Sequence, residues 1–133
     1  MDADVIIISY SVCSPDSLDN VLERWLPEVR HFCPRRPIIL AGNKTDLRPS
    51  AGDDVKMTSP GDDVKVTTGN PRPAYVSRVR GEKVAEEIGA LRLIECSAKT
   101  GHGVREVFLA AASAAVSVQR HRRRHKRDNC AVL

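Results

Sequence analysis

A chain of 133 residues, 41% hydrophobic and 29% charged, has material for one modest core and a short appendage. Its net charge of +4 is unevenly placed: residues 120–133 hold six Lys or Arg against one acid, Asp128, so the first 119 residues are close to neutral. With two Phe, two Tyr and one Trp for stacking, a nucleic-acid-binding face on the body is not expected. The four cysteines have irregular spacings and no Cys-x-x-Cys pair, which argues against a disulfide framework. Cys13, Cys33 and Cys96 read as buried or half-buried thiols. No stretch is apolar enough to span a membrane and no signal segment opens the chain, so a cytosolic address is expected.

Taken in order, Val5-Ile6-Ile7-Ile8 is a β-branched run of the kind found in strands covered on both faces. Ser14-Pro15-Asp16 then starts a helix, with Ser as N-cap and Pro in the first turn. Leu18, Val21, Leu22, Trp25, Leu26, Val29 and Phe32 form its apolar face, and Pro27 predicts a kink or a lost backbone bond. A second strand follows at 37–41. Residues 49–80 break the pattern: Gly52-Asp53-Asp54-Val55-Lys56-Met57-Thr58 is nearly repeated nine residues later from Gly61. Two copies are too few for a solenoid, so a surface loop is expected, and the paired aspartates lack EF-hand spacing. A helix at 82–88 stopped by Gly89, a strand at 91–94 and a helix at 104–118 complete the body. The core stripe of the last helix is read as Val104, Val107, Phe108, Ala111, Ala115 and Val118. Alternating strands and helices predict an α/β fold with parallel strands and crossover helices. The body is placed at 1–118 and a tail at 119–133.

The chemistry concentrates at two strand ends, where ligands bind in open parallel sheets. After the strand at 37–41 come Asn43-Lys44-Thr45-Asp46. The Asp46 carboxylate can accept both donors of a guanine edge, N1–H and the 2-amino group, a pair that adenine lacks. Lys44 can lay its methylene stem on the base, and Asn43 can hold the loop. After the strand at 91–94 come Ser97-Ala98-Lys99, where the Ala98 N–H suits the 6-oxo group and Lys99 the other face of the base. At the far end, Cys130-Ala131-Val132-Leu133 has the form of a prenylation signal favouring geranylgeranyl. One isoprenoid anchors weakly, and a basic run beside it supplies the second attachment. Arg120, Arg122, Arg123, Arg124, Lys126 and Arg127 are that run, each worth about 1 kcal/mol near an anionic leaflet.

With these residues in view, the chain resembles the C-terminal half of a Ras-superfamily small GTPase, and within that group it is most similar to Rho proteins. The resemblance rests on Asn43-Lys44-x-Asp46, Ser97-Ala98-Lys99, the segment Trp25-Leu26-Pro27-Glu28-Val29-Arg30-His31-Phe32-Cys33-Pro34, Asp46-Leu47-Arg48, Glu87-Ile88-Gly89-Ala90 and the Cys-x-x-Leu ending. It implies a partial P-loop NTPase (Ras-like) fold that lacks the N-terminal strands, with GTP or GDP as ligand and Mg²⁺ in a full-length form. It further implies prenylation by a prenyltransferase, an anionic leaflet on the cytoplasmic face as docking surface, and nucleotide-exchange and dissociation regulators or effectors as partners.

Within the 133 residues there is no Gly-x-x-x-x-Gly-Lys-Ser/Thr loop to cradle phosphates and no Asp-x-x-Gly. The resemblance therefore begins at the fourth strand of such a fold. No catalytic residue is assigned, and neither is a metal ligand. Base contacts alone support about 4 kcal/mol, a millimolar affinity, so hydrolysis is expected only of a longer molecule. The alternative expectation is a non-catalytic prenylated interaction module that competes for partners or membrane sites.

Overall fold

The computed structural model describes residues 3–49 and 75–130, with side chains to residue 124. The whole of the duplicated segment and Ala131–Leu133 lie outside the described residues. Three strands, β1 (Ile6–Ser11), β2 (Ile38–Asn43) and β3 (Arg92–Glu95), form a parallel sheet in the order β1-β2-β3. Ile8 pairs with Leu40, and Leu40 with Leu93. The connections are α1 (Pro15–Asn20), α2 (Leu26–Phe32) and α3 (Arg78–Glu87), and α4 (Val104–Cys130) follows β3.

Helices cover both faces of the sheet, and each face has its own core. On one side Ile8, Tyr10 and Leu40 meet Leu18, Val21, Val84 and Ile88. On the other, Ile39, Ala41, Ile94 and Cys96 meet Val107 of α4. Each fully buried aliphatic side chain contributes about 1.5–3 kcal/mol. The expectation of a strand covered on both faces holds for β2, whose first five residues are all buried. It fails for β1: Ile7 is 41% exposed, because among the described residues β1 has a neighbour on one edge only.

Local structure follows the end signals closely. Ser14 caps α1 by accepting from the Ser17 N–H. α3 closes on Gly89 in a Schellman turn, with Gly89 at φ +69° and the Ala90 and Gly89 amides donating to the Ala85 and Glu86 carbonyls. The anticipated kink at Pro27 takes another form. Val21–Trp25 is a π-helical turn in which the Leu26 N–H donates to the Val21 carbonyl, so the register slips one residue just before the proline that has no N–H to give.

Two boundaries differ from the sequence reading. α3 begins at Arg78, four residues earlier than expected, because Ser77 accepts from the Arg80 N–H and acts as its cap. α4 runs to Cys130 rather than ending near Val118, so its backbone carries the basic run as helix. Its buried stripe is Val107, Ala111 and Ala114, whereas Phe108, expected in the core, is 64% exposed. A residue one position past Val107 is turned about 100° around the axis, away from the sheet.

Candidate functional site

Two loops meet at the carboxyl ends of β2 and β3. β2 ends at Asn43, and Lys44 follows in the left-handed region at φ 65°, which turns the chain into a 3₁₀ turn over Thr45–Leu47. A lysine in that conformation costs about 1–2 kcal/mol. The surroundings hold it there: the Lys44 carbonyl accepts from the Leu47 N–H at 3.1 Å and from the Cys13 thiol at 3.8 Å. The turn brings Asp46 back over the sheet end.

From β3, the Cys96 N–H donates to the Gly42 carbonyl at 2.8 Å and its own carbonyl accepts from the Thr45 N–H at 3.3 Å. The chain then loops through residues 97–103, closed by Ser97 N–H to the His102 carbonyl at 2.9 Å and by Gly101 N–H to the Ser97 carbonyl at 2.8 Å. Gly103, at φ +70°, lies so close to the Glu95 carbonyl that any Cβ would collide with it.

The side chains complete the join. The fully buried Ser97 hydroxyl donates to Asp46 Oδ1 at 2.5 Å and accepts from the Thr100 N–H at 3.2 Å. One carboxylate oxygen of Asp46 is thereby fixed, and the residue stays exposed. The Cys96 thiol donates to Asn43 Oδ1 at 3.0 Å and orients that amide. Burial raises the Cys96 pKa above the ordinary thiol value, so this donor keeps its proton. Asn43, Lys44, Asp46, Ala98 and Lys99 line one cavity of ≈ 660 Å³. It continues over an apolar floor formed by Ile7, Ala41 and Phe108.

All six residues singled out at the two strand ends, Asn43, Lys44, Asp46, Ser97, Ala98 and Lys99, are therefore brought together, five around the cavity and Ser97 beneath Asp46. Sequence reading missed the support. Arg48 makes a bidentate pair with Glu95 at 2.6 and 3.0 Å and also donates to the Val76 carbonyl at 2.7 Å, tying three segments beneath the loops. Cys13 and Cys96 are half-buried and buried, in line with the sequence reading, and in addition serve as hydrogen-bond donors. No local pattern announces contacts across 31 to 53 positions.

The basic run lies elsewhere. Asp4, just before β1, accepts from Gln119 at 2.9 Å and from Arg122 at 3.0 Å, which puts the second half of α4 beside the amino ends of the strands. Arg120, Arg122, Arg123 and Arg124 are exposed there. The backbone of α4 continues through Lys126 and Arg127 to Cys130.

A family model described as "Ras family" matches residues 1–117. A GTP-binding protein RHO1 of Candida albicans is 48% identical over 132 residues, covering 99% of this chain and 60% of that protein. The chain thus spans about 60% of the length of the curated relative it matches. A three-stranded parallel sheet with helices on both faces, two joined loops at its carboxyl end and these matches lead to one conclusion: the chain belongs to the Ras family, as a Rho-family small GTPase sequence that covers part of the domain.

Proposed function

We propose that these residues form the base-reading part of a Rho-type GTP-binding protein and carry its membrane anchor. The single observation that supports this most is the Ser97–Asp46 hydrogen bond, which sets one carboxylate at the mouth of a cavity flanked by two lysines. A carboxylate so held accepts the two donors of a guanine edge, while Lys44 and Lys99 border the ring and the exposed Ala98 supplies its N–H to the 6-oxo group. The cavity is roomy enough for a purine. GTP or GDP would take these base contacts here, and its phosphates and Mg²⁺ would be held by residues outside these 133. The Cys-aliphatic-aliphatic-Leu ending supports geranylgeranylation of Cys130 by a prenyltransferase, and the basic run supports attachment to an anionic cytoplasmic leaflet. Regulators and effectors of small GTPases are the protein partners this reading implies.

The test joins this chain to the N-terminal portion of the Candida relative and titrates it with GDP, ADP and xanthosine diphosphate. GDP should bind tightest, and Asp46→Asn should weaken GDP by at least about tenfold, the loss of one charge-assisted bond. The same variant should gain for the xanthine nucleotide, whose 2-oxo group matches an amide N–H. Unchanged GDP affinity in Asp46→Asn would sink the assignment.

A further inference from the structure

A second and larger hollow, ≈ 1220 Å³, runs beside α4 at the amino ends of β2 and β3, far from the base-reading loops. Arg35, Arg36, Arg92 and Arg122 border it, and Glu106 is the one acid in its lining. Arg122 is held by Asp4. The other three arginines have no ion pair among the described residues. Arg35 sits at φ 63°, a conformation that glycine would take without cost, so the turn before β2 keeps a cation at a position that favours its absence. The hollow is apolar beneath: Leu91 is 59% exposed and Leu109 54% exposed, both within its lining.

We propose that this groove is a lipid-facing surface of the folded body, its arginines taking the headgroups of anionic phospholipids while Leu91 and Leu109 enter the acyl boundary. The inference rests on the reading of the C-terminus as a membrane anchor and adds to it a fixed face and orientation. Exposed aliphatic side chains rimmed by long cations are what an interfacial surface presents, since arginine stems lie along apolar chains with their heads in the phosphate layer. Continuity favours a bilayer over an acidic protein. Arg122 of the rim belongs to the same stretch of α4 as the exposed Arg120, Arg123 and Arg124, so the groove and the basic run are contiguous. The base-reading loops, at the opposite end of the strands, then face away from the membrane.

The test uses the full 133-residue chain with Cys130→Ser, so that no isoprenoid contributes, and vesicles of phosphatidylcholine with or without phosphatidylserine. The chain should sediment with the anionic vesicles only. Arg35→Gln/Arg36→Gln/Arg92→Gln, which leaves α4 intact, should weaken that binding by roughly a hundredfold, about fivefold for each of the three charges. An unchanged melting curve shows that the variant folds. Hydrogen exchange on the unsubstituted surface provides a second readout: vesicles should protect the amides of Arg35 and Arg36 and those at 91–93, as well as the end of α4. Triple-variant binding equal to the parent's, or protection confined to 120–130, overturns the proposal and leaves the anchor reading standing. Polyglutamate protecting the same amides where vesicles do not also overturns it, and marks a protein-docking face instead. Intact mass in a eukaryotic host tests the isoprenoid separately, so either reading can fail alone.

Discussion

Tyr10 carries an unsatisfied group at the centre of the main core. Its ring is 3% exposed, it lies under Gly42 and Gly81, and its hydroxyl has no partner among the described residues. Burial, reinforced by the Glu95 charge, pushes its pKa up to about 12 from 10.0. The folded state therefore keeps a proton that the unfolded chain releases above pH 10. This contribution is fully present below pH 10 and is lost at about 1.4 kcal/mol per pH unit as pH rises towards 12. Melting curves between pH 9 and 11.5 should show that extra alkaline loss in the parent and not in Tyr10→Phe. At neutral pH, Tyr10→Phe should be neutral or stabilising by about 1 kcal/mol, because it removes a buried hydroxyl that gains nothing. Ser97 is the opposite case. Ser97→Ala strips the partner from Asp46 and from the Thr100 N–H, and should cost about 1–3 kcal/mol in chemical denaturation. In the joined protein it should weaken GDP while keeping the preference for guanine over xanthine, since the carboxylate remains.

Elements whose ends carry their own chemistry were legible in the sequence. Ser14 and Gly89 mark helix ends by side-chain and backbone preferences that act within four residues, and the three apolar runs mark strands because each lies in a packed sheet. The rest depends on what is not local. The basic run has no apolar stripe to signal a helix, yet α4 continues through it from a packed first half. α3 starts inside a stretch rich in Gly, Pro and Thr, where Ser77 is one candidate cap among many. Phe108 has the size of a core residue, but its angle on α4 decides otherwise. For the site, residue types in motif order were readable, while the bonds that hold them were not. Arg48–Glu95 is the clearest example: it links the segment after β2, the end of β3 and the approach to α3 through a guanidinium fork. Arg48→Lys keeps the charge and loses the fork, so it should destabilise by about 1–3 kcal/mol. Its effect should appear as faster hydrogen exchange at 44–48 and 96–103 before global unfolding.

At the scale of the molecule, β1 has one edge without a neighbour among the described residues and a part-exposed Ile7, and the family match covers residues 1–117. The parallel sheet gives the body two unlike ends, joined loops at the carboxyl side and arginines at the amino side. α4 sets their separation. From Val104 to Arg120 the axis rises about 24 Å at roughly 1.5 Å per residue. The Debye length at physiological ionic strength is about 8 Å. Three such lengths make the two ends electrically independent, like terminals separated by an insulator. Neutralising Arg120, Arg123 and Arg124 should thus leave guanine affinity in the joined protein unchanged within about twofold at physiological salt, and a change that grows as salt is lowered would measure how far the insulation reaches.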